Sequence, residues 1–312
     1  MKIQRSDLNN SIKDIDFFIC SAGFEERSTI VAQTLNLSNI RYKTVFHIAN
    51  SYKLSEINLK KICSAGKFDL VEYPKNEPVK TYDIIKDYLT NIETTQAIRV
   101  LIDVTTFTRE VLLIILKIFN SHEMRKKYII QFIYTPARAY QTSDDSEEQW
   151  LTKGVREIRS IFGFSGLHIP SKKLMLIVLT GLEDERIEII VESFEPNALL
   201  LGKPSLHSSS HPDLDVKANL TTERLKNKYS SFLNYFDFSC DNILETQKII
   251  EELCMKYENE YNITIAPLNN KISTLGVAMA CLNKENIQVC YASANQYNIK
   301  YSKPNDFFIF CK

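Results

Sequence analysis

Short apolar runs rich in Val, Ile and Phe alternate with longer amphipathic stretches along this sequence, and the series runs through twice. A buried apolar run followed by an amphipathic stretch is a βα unit, and several in succession build a mostly parallel sheet covered by helices on both faces. In the first half, strands are expected at Phe17–Ala22, Lys43–Ala49, Asp69–Tyr73, Arg99–Thr105 and Tyr128–Tyr134. Helices are expected near Glu26–Leu37, Leu54–Ala65, Val79–Ile92 and Thr108–Arg125. The second half repeats the order. Its strands are expected at Leu174–Thr180, Ala198–Gly202, Phe236–Cys240, Asn262–Ala266 and Ile287–Ala292, with helices near Glu183–Ser193, Thr222–Asn234, Asn242–Glu258 and Ile272–Leu282.

The two halves also share local sequence. Strand one runs into Ser21-Ala22-Gly23-Phe24-Glu25-Glu26-Arg27 in one half and Leu179-Thr180-Gly181-Leu182-Glu183-Asp184-Glu185-Arg186 in the other. Strand five reads Ile130-Gln131-Phe132-Ile133-Tyr134-x-x-Ala137-x-x-Tyr140, then Ile287-Gln288-Val289-Cys290-Tyr291-x-x-Ala294-x-x-Tyr297. The matches lie at nearly equal separations, as expected of an internal duplication. The fold expected is α/β: two tandem Rossmann-like, three-layer units with mostly parallel sheets. The first unit is assigned to 1–145, a connector to 146–171, and the second unit to 172–312. Within the connector Trp150–Phe162 reads as helical, and Pro204–Asn219 reads as an exposed Ser/His/Pro-rich loop.

The 312 residues suffice for two ordinary domains. Lys and Arg number 38, as do Asp and Glu, so the net charge is zero. That balance argues against general nucleic-acid binding, which needs net positive surface. Seven cysteines, an odd number without a CxxC pair, argue against a disulfide framework or a zinc ribbon. The polar N-terminus and the lack of a membrane-length apolar run point to a cytoplasmic, non-membrane protein. His207 and His211 lie in a Ser/Pro loop, and His47, His122 and His168 lack paired acids in sequence and read as structural, so neither a metal nor a cofactor is expected. GxSxG, HExxH, P-loop and GxGxxG motifs are absent.

Ligands of open parallel sheets bind beyond the carboxyl ends of the strands. Three segments per half arrive there. The first is the Gly23 turn, with Phe24, Glu25 and Arg27, and its counterpart with Gly181 and Glu183. The second is Asp103-Val104-Thr105-Thr106-Phe107-Thr108-Arg109, where an acid, three threonines and a cation precede an apolar helix; its counterpart is Asn269-Asn270-Lys271. The third carries Tyr134, with Tyr291 in the second half. Helix N-termini and cations suit phosphate, and tyrosines suit a base or sugar.

The strand-four turn resembles that of the CARF family of Rossmann-like ligand-sensing domains, which carries a Thr-Gly-Gly-Thr-Lys-like motif. Thr105, Thr108 and Arg109 match it, while Thr106 and Phe107 stand where the family has glycines. Two such units in one chain look like SAVED domains, fused CARF-like pairs. The resemblance implies a cyclic-oligonucleotide sensor of prokaryotic antiviral defence, with its ligand at the junction of the two units. On that reading Thr106, Thr108, Arg109 and Lys271 take phosphates, Gly23, Phe24 and Tyr134 contact sugar or base, and Arg27, Gly181, Glu183, Asn270 and Tyr291 complete the pocket. Output then needs a protein partner or self-association. A second reading is an enzyme acting on a nucleotide or nucleoside, with Asp103 and Glu25 as its catalytic carboxylates. A third is a scaffold subunit of a defence complex.

Overall fold

The computed structural model describes residues 1–140, 151–206, 212–299 and 302–312. The acidic run Asp144–Glu148, Trp150, His207 and His211 lie outside the described residues. The chain forms two compact units. Unit 1 comprises 1–149 and 299–312, and unit 2 comprises 150–298.

Unit 1 contains β1 (Lys2–Gln4), α1 (Leu8–Ser11), β2 (Phe17–Ser21), α2 (Arg27–Thr34), β3 (Tyr42–Ile48), α3 (Lys53–Ala65), β4 (Asp69–Tyr73) and α4 (Pro78–Thr90). It continues with β5 (Ile98–Asp103), α5 (Arg109–Phe119), α6 (His122–Lys127), β6 (Tyr128–Tyr134) and β7 (Ala137–Tyr140). Unit 2 contains β8 (Thr152–Ser165), β9 (Lys173–Leu179), α7 (Asp184–Phe194), β10 (Ala198–Pro204), α8 (Pro212–Tyr229), β11 (Leu233–Phe238) and α9 (Ile243–Tyr257). It ends with β12 (Tyr261–Pro267), α10 (Lys271–Cys281) and β13 (Ile287–Tyr297), after which β14 (Ser302–Pro304) and β15 (Phe307–Cys311) return to unit 1.

The unit 1 sheet runs β1-β15-β6-β5-β2-β3-β4, and the unit 2 sheet runs β11-β10-β9-β12-β13-β8. Counting the parallel strands of each unit from one to five, both sheets have the order 3-2-1-4-5. Each adds an antiparallel partner beyond strand five: β15 on β6, and β8 on β13. Two Rossmann-like units of one topology are thus repeated in tandem, as an internal duplication requires.

Successive residues of a strand face opposite sides of the sheet. In β2, Phe18 and Cys20 join Ile30, Val31, Leu37 and Ile62 in one core cluster. Phe17 and Ile19, buried on the other side, share it with rings such as Tyr42 and Tyr128. In unit 2 the cluster gathers Leu176, Val178, Leu199, Leu201, Ile187, Ile190 and Leu225. Burial on both faces is why these strands lack polar alternation.

Three expectations are corrected. The described residues of the expected helix Trp150–Phe162 are not helical: β8 covers Thr152–Ser165, and the interval expected as connector is largely a strand of unit 2. Val155, Ile158 and Ile161 mimic helical spacing because β8 is bulged, with Gly154 and Gly163 at φ of 62° and 84°. Against β13, the strand carries one extra residue between Val155 and Glu157 and three between Ser160 and Ser165, which breaks the two-residue period. Pro204–Asn219 is not all loop: α8 starts at Pro212, with Asp213 and Asp215 in its first turn, an arrangement suited to a helix start. Its buried face includes Asp215, Thr221 and Thr222, which hides the apolar periodicity. Thr108–Arg125 is two helices, since the Ser121 side chain accepts a bond from the Met124 amide and caps α6.

No described helix is long and apolar enough to cross a membrane.

Candidate functional site

In a 3-2-1-4-5 sheet the chain turns opposite ways after strands one and four, leaving a crevice at their carboxyl ends. Each unit joins its two turns there. In unit 1 the Thr106 hydroxyl donates to the Ser21 carbonyl at 2.8 Å. A Cβ on Gly23 would lie 2.6 Å from Thr106 Cβ. In unit 2 the Leu268 amide donates to the Leu179 carbonyl at 3.1 Å, and Asn269 Nδ2 donates to the Thr180 carbonyl at 2.6 Å. There a Cβ on Gly181 would lie 2.6 Å from the Leu268 carbonyl oxygen. Both positions need glycine for close approach, not for a positive φ; neither is among the positive-φ residues.

From α3, Asn58 Nδ2 donates to the Gly23 carbonyl at 2.9 Å and to the Glu25 carbonyl at 3.0 Å. Asn58 is buried inside an amphipathic helix, and nothing in its sequence neighbourhood marks it. Phe24 packs edge-on against Tyr52 at 5.4 Å, and Lys75 Nζ lies 5.5 Å from the centre of the Tyr52 ring.

The helix after strand four begins alike in both units. Thr108 caps α5 by accepting from the Val111 amide at 3.2 Å, and Arg109 is its first residue. Asn270 caps α10 by accepting from the Ser273 amide at 2.9 Å, and Lys271 is its first residue. A cation at a helix start opposes the helix dipole. Thr106, Thr108, Arg109, Asn270 and Lys271 are all half-buried at their strand ends.

The remaining expected contacts hold the units together internally. Arg27 is buried; its Nε and Nη2 donate to Glu25 Oε2 at 2.9 and 2.5 Å, and its Nη1 donates to the Thr135 carbonyl at 2.9 Å. Its guanidinium also lies 5.9 Å from the centre of the Tyr134 ring. In unit 2, Arg186 pairs with Glu183 Oε2 at 3.3 Å and donates to the Ala292 carbonyl. Tyr134 and Tyr291 are buried, and Thr135 and Ala292 each follow one of them. An arginine from the first helix thus braces the end of strand five in both units.

Asp103 is buried at the end of β5. Its carboxylate accepts from both the amide and the hydroxyl of Thr105, while Thr105 Oγ1 accepts from the Thr135 amide at 2.9 Å. Burial pushes its pKa up to about 7, against the pull of the Thr105 bonds and the Arg27 charge. Unit 2 has no acid there: its strand ends in Ala266 and Pro267. Among the described residues no group of three or more His, Cys, Asp or Glu is placed to hold a metal ion.

No family model and no curated protein matches this sequence. Among solved structures, the fold is similar to that of a Type III CRISPR defence DNA nuclease activated by cyclic oligoadenylate, at a TM-score of 0.52 and 6% identity. The match covers 88% of this chain and 64% of that one, so this chain spans less than two thirds of the nuclease's length. The likeness is one of fold.

Proposed function

We propose that this chain senses a nucleotide-type ligand of the cyclic-oligonucleotide class in defence signalling, and passes the signal to a protein partner. One observation carries the reading. At the switch point of each sheet, a capped helix opens on a cation beside a glycine turn packed too closely to accept any side chain. That combination offers backbone amides, hydroxyls and positive charge to a phosphate. Arg109 and Lys271 are the phosphate contacts, with Thr106, Thr108 and Asn270 beside them. Gly23 and Phe24 border the sugar or base. The activating ligand named for the structurally similar nuclease supports the ligand class.

The enzyme reading has weaker support, because Asp103 and Glu25 both spend their carboxylates on internal bonds.

The test is thermal melting with a panel of cyclic oligoadenylates, linear oligoadenylates and mononucleotides. A cyclic oligoadenylate is expected to raise Tm, and Arg109→Ala to abolish the rise. No shift across the panel would overturn the reading. Turnover lost in Asp103→Asn, with binding retained, would favour the enzyme.

A further inference from the structure

The antiparallel strand beyond strand five reaches each unit by a crossing of the chain. After strand five of unit 1 and its extension β7, the chain passes into unit 2, where β8 pairs with β13. After β13 it returns to unit 1, where β14 pairs with β7 and β15 with β6. Counted along the duplicated sequence, each copy gives its sixth strand to the sheet of the other. The registers correspond as well: Ser302 faces Tyr140 and Ile309 faces Tyr134, while Thr152 faces Tyr297 and Arg159 faces Tyr291. Ser302 and Ile309 stand at the same spacing as Thr152 and Arg159.

The first residue of each exchanged strand bonds to the glutamate of the receiving unit's strand-one turn. Ser302 Oγ donates to Glu25 Oε2 at 2.5 Å, and Thr152 Oγ1 donates to Glu183 Oε1. Each glutamate is also held by the buried arginine that braces strand five, Arg27 or Arg186. The Glu25 and Glu183 side chains are only 11% and 16% exposed, so water competes poorly for these bonds.

We propose that these two contacts are reciprocal latches. Each clips the start of an exchanged strand to the glycine turn of the unit that receives it. Movement of the turn is transmitted to the strand start, and movement of the strand start to the turn. A hydroxyl at the first position of the exchanged strand is what the latch requires. The claim goes beyond the sensor reading and does not rest on it.

Hydrogen exchange of the full chain without ligand tests it. Hydrogen bonds to charged groups are strong enough that losing one is expected to speed local exchange about tenfold. Ser302→Ala should do so in β14 and also in the turn from Gly23 to Ser28, with Ser302→Thr restoring both. Thr152→Val should do the same at the start of β8 and from Gly181 to Arg186, with Thr152→Ser restoring both. Faster exchange in the strands alone, no change at all, or a response in only one unit would each overturn the reciprocal latch. A protein blind to every nucleotide would still give the expected pattern, so the two readings fail separately.

Discussion

The two units share a strand order, a glycine turn, a capped helix opening on a cation and an arginine brace, yet they differ in what fills the space between turns. Unit 1 uses side chains: Thr106 against Gly23, and the Asp103–Thr105–Thr135 chain behind it. Unit 2 uses backbone and amides: Leu268 against Gly181, with Asn269 bonded to Thr180. Its acid is gone, and its glutamate–arginine pair has one bond where unit 1 has two. The duplicated frame is indifferent to these changes. A titratable acid stands at this turn only in unit 1, where Asp103 occupies the place that Ala266 and Pro267 hold in unit 2.

The sharpest way to break that contrast is at the braces. Arg27→Leu leaves the Glu25 charge nearly buried and uncompensated, and should cost about 3–5 kcal/mol in urea unfolding. Arg186→Leu should cost visibly less, because Glu183 is the more exposed of the two glutamates. Equal costs would mean the braces are interchangeable.

Next comes pH. Asp103 has a folded pKa of about 7 against 3.8 for the free side chain, so the folded state holds a proton that the unfolded state has lost between those values. Stability from this group is fully present below about pH 4 and falls by roughly 4 kcal/mol in all as pH rises through 7. Asp103→Asn should flatten that decline, as read from denaturation at pH 5 and pH 8. No substitution in the corresponding turn of unit 2 should do so.

Smaller effects are expected at the glycines. Gly181→Ala drives a methyl into a carbonyl oxygen and should cost about 2–3 kcal/mol, whereas Gly23→Ala meets the Thr106 side chain and should cost about 1–2 kcal/mol. Combining Gly23→Ala with Thr106→Ser should recover little of the loss, because serine keeps the Cβ that the new methyl meets, which calorimetry would show. The smallest effects belong to the caps: Thr108→Ala and Asn270→Ala should each cost about 1 kcal/mol. Asn270→Ala should be the worse, because Asn270 Nδ2 also donates to the Cys240 carbonyl at 2.7 Å.

The parallel strands were legible in the sequence because burial on both faces removes polar interruption, as at Phe17–Ser21 and Lys173–Leu179. The glycine turns and the capped cations were legible because each depends on residue type at one position. The remainder depends on partners remote in the chain. Arg27 reads in sequence as a pocket residue beside two glutamates; the partner that buries it, the Thr135 carbonyl, lies over a hundred positions on. Asn58, Ser302 and Thr152 are unremarkable polar residues whose bonds appear only when distant segments meet. The bulged β8 shows the opposite failure, a local pattern that imitates the wrong period.

The exchanged strands also set an order of assembly. Unit 2 is one continuous stretch of chain and can close once residue 298 has left the ribosome, whereas unit 1 lacks β15 until residue 311 has emerged. β15 fills the slot between β1 and β6, so until then the older half carries an open sheet edge. The half made first is therefore finished last. A nascent chain halted before residue 307 would present a complete second unit and a first unit still exposed to mispairing.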